Sequence, residues 1–213
     1  MTTLIAGQDA AFVYLVKAAG LPVFGRQDEP SLLASLLEAL PEQGEVDWPE
    51  GFEGGLLHRL DNHTSGLTIA ARSIEALERG RQAFADHRLT KRYRLLVDRD
   101  VPWDTHEVAW PLAHDRRRRS RMVWQRGAST PHRGRWYPAV TRFRRLGLVG
   151  ERHLWEAAMS TGVMHQIRVH AASAGLPLAG DRLYGGGGTG RFWLHHRRIE
   201  GWPGDAPEIP ERW

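Results

Sequence analysis

Cysteine is absent from the 213 residues of this chain. That excludes disulfides, thiolate nucleophiles and thiolate-bound metal, and it suits a reducing compartment such as the cytoplasm. No apolar run approaches the roughly 18 residues of a membrane-spanning helix. The N-terminus lacks the basic segment followed by a hydrophobic core that marks a signal peptide, so none is expected. Lysine is nearly missing: of 29 basic residues only Lys17 and Lys91 are lysines. Acidic residues are missing locally. Residues 116–145 hold 11 arginines and no Asp or Glu, so against the whole chain's +4 the remaining residues carry −7.

What is present is the composition of an ordinary globular protein, 41% hydrophobic and 25% charged, in a chain long enough to bury a sizeable core. The basic block begins with Arg116, Arg117, Arg118, Arg119 and Arg121, and it is interleaved with Trp124, Trp136, Tyr137 and Phe143. One-sided charge beside flat rings is the footprint of a nucleic-acid partner. Phosphate contacts release counterions, rings stack on bases, and guanidinium forks suit phosphates. The bland reading of such a run is a solvated face.

Periodicity places the elements. Residues 11–24 read as two extended pieces around a turn, 13–17 and 20–24. Ser31 caps a helix to Leu40 with a Leu32, Leu33, Leu36, Leu37, Leu40 stripe. Residues 41–55 form a loop, 67–72 a strand, and Ser73 caps a helix to about His87 that buries Ile74, Leu77 and Phe84. Residues 90–97 alternate, with Tyr93, Leu95 and Val97 opposite Arg92 and Arg94. Residues 103–115 look irregular. Residues 122–125 and 136–145 read as the two strands of a hairpin, 153–160 as a strand, 164–174 as a helix closed by Gly175 with Met164 packed, and 191–194 as a strand. Together these suggest an α+β fold with a mostly antiparallel sheet and flanking helices.

The stretch around which the chain is organised is His58-Arg59-Leu60-Asp61-Asn62-His63-Thr64-Ser65-Gly66-Leu67. A carboxylate between two apolar runs either caps the turn, bonding the amides of His63 or Thr64, or serves a site that needs an anion. This stretch resembles the signature of the RluA-type pseudouridine synthases, which isomerise uridine in RNA: HRLD, two residues, then TSG. Further matches follow in order. Lys17-Ala18-Ala19-Gly20 is similar to the family's Lys-Pro-x-Gly without its proline, and Lys91-Arg92-Tyr93 to its Lys-x-Tyr. Gly162-Val163-Met164-His165-Gln166-Ile167-Arg168 is similar to Gly-Arg-Thr-His-Gln-Ile-Arg. Residues 175–185 resemble Gly-x-Pro-[Ile/Leu]-x-Gly-Asp-x-x-Tyr-Gly, in which Asp181 is read as holding a turn or pairing with an arginine.

The resemblance implies a single catalytic domain over 1–213, without the separate N-terminal RNA-binding module of some relatives. It implies a mixed, mostly antiparallel central sheet divided into two subdomains around a cleft that holds Asp61. It makes Asp61 the nucleophile, Tyr93 the surface against the target base, and Arg168 the cation paired with that Asp. Arg59 would fill the gap left by a flipped base. His58, Thr64, His165, Gln166, Ile167 and Arg116, Arg117, Arg118, Arg119 and Arg121 are the candidate RNA contacts. Val163 and Met164 replace the family's Arg-Thr, which removes whatever contacts those polar side chains make. The partner is ribosomal or transfer RNA, a monomer is expected, and the chemistry requires no cofactor or metal, since nothing is oxidised or hydrolysed. Gly185–Gly190 fits G-x-G-x-x-G but is followed by no helix, so a loop is expected. The paired histidines lack zinc-site spacing. The competing reading is a non-catalytic RNA-binding protein on a synthase scaffold.

Overall fold

A computed structural model of the chain describes residues 4–26, 29–188 and 192–211. It divides into two compact units, one formed by Met1–Lys91 with His195–Trp213, the other by Arg92–Leu194.

The first unit begins with β1 (Ile5–Gln8) and β2 (Phe12–Lys17), followed by α1 (Leu32–Ala39), two short 3-10 turns, β3 (Ser65–Ala71) and α2 (Ile74–Ala85). The second unit carries β4 (Thr90–Val97), β5 (Thr105–Val108), β6 (Leu112–Asp115), β7 (Met122–Trp124), β8 (His132–Tyr137), β9 (Thr141–Val149), β10 (Arg152–Met159) and α3 (Gln166–Ser173). The chain then re-enters the first unit with β11 (Leu194–Glu200). The α+β, mostly antiparallel architecture read from the sequence is the one present.

In the first unit the strand order is β1-β2-β3-β11, antiparallel except for the β3–β11 pair. Both faces of β2 and β3 are buried. Phe12, Tyr14, Leu67, Ile69 and Ala71 pack with Leu77 of α2, while Val13, Leu15 and Ala70 pack with Leu32 and Leu36 of α1. This is why β2 and β3 read as nearly unbroken apolar runs rather than alternating ones. Ser31 and Ser73 cap α1 and α2 through their hydroxyls, as expected. Residues 20–24 are not a strand. Their Pro22 and Val23 carbonyls instead accept the first N–H groups of α1, which no turn of the helix could satisfy. Ile74, expected inside, is 42% exposed, because it opens the first turn of α2 before the buried stripe begins.

In the second unit the order is β4-β10-β9-β5, beside a three-stranded sheet β7-β6-β8. Residues 103–115, expected irregular, contain β5 and β6. Polar β5 conceals itself from a pattern search by offering only Val108 to the interior, and its Glu107 pairs across to Arg142. The expected hairpin of residues 122–125 and 136–145 is also corrected. Pro138 interrupts the chain between β8 and β9, which belong to different sheets, and β6 lies between β7 and β8. The helix expected from 164 starts at Gln166, and Met164 is 36% exposed. Gly185–Gly188 form a turn and its end, whereas Thr189, Gly190 and Arg191 lie outside the described residues. No described helix is long and apolar enough to cross a membrane.

Candidate active site

The loop carrying Asp61 leaves a short ladder, in which Leu56 bridges Ala70 and Leu57 N–H donates to Ile69, and it re-enters the sheet at Ser65. Thr64 N–H donates to the main-chain carbonyl of Asp61 at 3.0 Å, closing a tight turn over residues 61–64. The next carbonyl, that of Asn62, accepts from Gly20 N–H at 2.7 Å and from Lys17 Nζ at 2.9 Å. Lys17 is fully buried and spends its other donors on the carbonyls of Ala18 (2.9 Å) and Leu21 (2.6 Å). Burial pushes its pKa down to about 8, opposed by the negative charge of Asp61. The sequence marked Lys17 only as part of a broken motif. Here it is the anchor of the Asp61 turn.

The glycine of the signature also has a local cause. Gly66 has φ +113°, and a Cβ there would collide with the main chain of His196 where β3 and β11 pair. His196 donates from Nδ1 to the Leu67 carbonyl at 2.6 Å, and Ser65 Oγ lies 2.9 Å from Nδ1 of His195, whose Nε2 donates to the Ile209 carbonyl. The His58 ring is 5.2 Å from Phe84 and 5.8 Å from His196, with Nε2 sealed from solvent. Burial, helped by His196 and Lys91, holds His58 well below its ordinary range, and burial, helped by Lys91 and His195 against the Leu67 hydrogen bond, holds His196 at about 3. His58, a candidate RNA contact, thus packs against Phe84 and His196. Thr64 is buried and Arg59 exposed.

In the second unit Tyr93 is 5% exposed, on the β4 face it shares with Leu95 and Val97. Arg168, 7% exposed, grips Asp181 with Nε at 2.7 Å and Nη2 at 2.9 Å, and its guanidinium lies over the Phe192 ring at 4.3 Å and the Tyr184 ring at 5.0 Å. Asp181 also accepts from Leu183 N–H, so its reading as a turn-holding partner of an arginine is what the structure has. His165 sits at the start of α3 with φ +56°, a left-handed conformation unusual outside glycine, and its Nδ1 is 2.8 Å from the Tyr184 hydroxyl.

Two candidate RNA contacts are corrected. Gln166 is 2% exposed. Its amide donates to Val140 O and Thr141 Oγ1, and its carbonyl accepts from Thr161 Oγ1 and Val163 N–H. It clamps the turn before α3 onto β9. Ile167, 3% exposed, is core. Beyond Gln166, Thr141 and His170 extend the same network: His170 Nδ1 meets Thr141 Oγ1 at 2.9 Å, and Nε2 donates to Trp110 O. Val163 packs with Leu112, Met122 and Tyr184, which accounts for an apolar side chain where the family has arginine. Arg116, Arg117, Arg118 and Arg119 are exposed, and Arg121 lies 3.5 Å from Asp115. Trp124 and Tyr137 carry the guanidinium groups of Arg126 and Arg135 over their rings.

Residues 11–173, which include Asp61, Tyr93, His165 and Arg168, match the sequence model of the family described as RNA pseudouridylate synthase. The chain belongs to that family. It is 37% identical over 131 residues to the ribosomal large subunit pseudouridine synthase D of Zymomonas mobilis, covering 62% of this chain and 39% of the relative. It is 36% identical over 174 residues to an uncharacterized RNA pseudouridine synthase of Chloroflexus aurantiacus, covering 79% of this chain and 50% of the relative. The chain spans about half the length of the curated relatives it matches. The solved structure of human RNA pseudouridylate synthase domain containing 1 shares its fold, with a TM-score of 0.77 over 98% of this chain and 82% of that one at 22% identity.

Proposed function

We propose that the protein isomerises specific uridines in structured RNA, ribosomal or transfer, to pseudouridine. The observation that carries the reading is Asp61 itself: a carboxylate in the complete family signature, on a turn fixed by Lys17 and closed by Thr64. The C1′–N1 glycosidic bond breaks, the base turns, and a C1′–C5 bond forms. The C5 proton leaves and N1 gains one, so the reaction balances without oxidation or hydrolysis. Asp61 is the nucleophile that holds the detached fragment covalently while the base turns. The target nucleotide must leave its stack to reach it, and Arg59, exposed two residues before Asp61, is our candidate to fill the space vacated. Tyr93 offers its ring to the base, Arg168 is the family's basic residue, and the arginines from Arg116 to Arg121 hold the backbone.

The test uses ribosomal and transfer RNA transcripts carrying tritium at uridine C5. Release of tritium by the unmutated protein, lost in Asp61→Ala with RNA affinity largely kept, is the expected result. RNA binding without tritium release by the unmutated protein would instead favour the non-catalytic binder.

A further inference from the structure

We propose that Tyr184 is a positioning residue that fixes the proton of His165 on Nε2 and so sets which ring nitrogen can donate to the substrate. The inference rests on the reading of His165 as a substrate contact. It concerns groups that lie within the second unit.

Tyr184 is 7% exposed and stands in a turn where its N–H and that of Gly186 both donate to the Asp181 carbonyl. Its hydroxyl oxygen accepts from Met122 N–H at 2.9 Å and lies 2.8 Å from His165 Nδ1. A phenol has one proton and two lone pairs. The Met122 amide can only donate, so it takes a lone pair. A neutral imidazole at Nδ1 gives the hydroxyl proton a strong acceptor, and the two rings meet edge to face at 5.7 Å and 84°, an arrangement that keeps the hydroxyl near the imidazole. With Nδ1 accepting, the imidazole proton is on Nε2, the ring atom remote from Tyr184.

The backbone supports the same assignment. His165 precedes α3 but makes no capping bond with its side chain, and its φ of +56° is a cost that surrounding contacts must offset. Tyr184 is one such contact, since it ties His165 to the first residue of β7. It connects more than that pair. The Arg168 guanidinium lies 5.0 Å from the Tyr184 ring, and the Arg121 guanidinium, last of the arginine run, is 5.9 Å from the same ring. A single buried phenol thus joins the RNA-binding block to two candidate site residues.

The test reads the proton directly. Nitrogen-15 spectra of the full-length protein, with His165 assigned by its His165→Gln variant, are expected to show Nε2 protonated and Nδ1 as an acceptor. Tyr184→Phe keeps the ring and its two guanidinium neighbours but removes the hydroxyl. It is expected to mix the tautomers and to slow tritium release about tenfold, with RNA affinity changed by less than about twofold. Because Tyr184 acts through His165, Tyr184→Phe added to His165→Gln is expected to cost nothing further. A proton on Nδ1 in the unmutated protein, or effects that multiply in the double variant, would overturn the proposal. The spectrum of the unmutated protein decides the tautomer even where a variant folds poorly. If it shows Nε2–H but no RNA is isomerised, the tautomer assignment stands and the proposed function falls.

Discussion

Lys17→Met separates stability from site geometry. The substitution keeps the length of the side chain and removes an ammonium that donates to the carbonyls of Ala18, Leu21 and Asn62. All three carbonyls lose their Lys17 donor, but that of Asn62 retains Gly20 N–H, so the cost falls on those of Ala18 and Leu21, at about 1–3 kcal/mol each. Against this, burial has moved the Lys17 pKa from 10.5 to about 8, so keeping the group charged at pH 7 costs about 3 kcal/mol relative to the unfolded chain. The two effects nearly cancel, and the variant should unfold within about 3 kcal/mol of the unmutated protein. The Asp61 turn, however, loses one of the two donors on its Asn62 carbonyl, and tritium release should fall by about tenfold or more. Urea denaturation across pH gives an independent check. A base whose folded pKa lies below its unfolded one destabilises the fold most at low pH, so its contribution to stability rises between pH 8 and 10.5. Lys91, also held at about 8, does the same in both proteins. The difference between unmutated protein and Lys17→Met should therefore shift in favour of the unmutated protein by about 3 kcal/mol over that window. A flat difference, or full activity in the variant, refutes the account of Lys17.

Three further outcomes follow from the geometry. Gly66→Ala forces a Cβ into the His196 main chain at a left-handed φ and should cost roughly 2–5 kcal/mol in urea denaturation, with the β3–β11 pair the first element to lose amide protection. His58 and His196 are held neutral in the fold, so acid favours the unfolded chain as pH falls below 6.5. Each should steepen the loss of stability by up to about 1.4 kcal/mol per pH unit, and His58→Phe should remove one such contribution. Glu156, 4% exposed, is shared by Arg92, Arg94 and Arg144. Burial pushes its pKa up, but Arg144, Arg94 and Arg92 more than offset this and hold it below 4.5. Its stabilisation is therefore present above pH 4.5 and lost below. Glu156→Gln should cost about 3–5 kcal/mol at neutral pH and little in acid, as measured by denaturation at pH 7 and pH 3.

How far the sequence carries depends on where the cause of each feature lies. The caps at Ser31 and Ser73, the strand β4 and the Asp61 turn are local, since each needs only a few neighbouring residues to be specified, and all were legible. Strands β5 and β6 are not, because β5 is a polar strand with one buried residue and β6 is four residues with two adjacent buried ones, so neither has a period to detect. The break at Pro138 was readable in principle as a proline inside a supposed strand, but which sheet each half joins is decided by residues far along the chain. Gln166 sits in a matched motif and looked like a substrate contact; only its partners Val140, Thr141, Thr161 and Val163 show that its amide is fully occupied inside the protein. The roles of Tyr184, which the sequence offers only as a motif tyrosine, and of His170 are hidden for the same reason, since they consist of contacts with Met122, Thr141 and Trp110.

The scarcity of lysine has a structural reading that composition alone did not offer. Both lysines are buried, Lys17 at 0% and Lys91 at 9% exposure, while the exposed basic surface from residue 116 to 119 is entirely arginine. An ammonium directs three donors tetrahedrally, which suits the Ala18, Leu21 and Asn62 carbonyls that close around Nζ within 2.9 Å. A planar guanidinium is larger, cannot shed its charge, and presents its donors in a fork that this cage does not match. Lys17→Arg should therefore be worse than Lys17→Met, although it preserves charge: overpacking adds about 1–3 kcal/mol to misdirected donors, and the Asp61 turn is displaced rather than merely loosened. Denaturation and tritium release measured on both variants decide the matter. If Lys17→Arg proves the milder of the two, charge rather than donor geometry is what holds the turn.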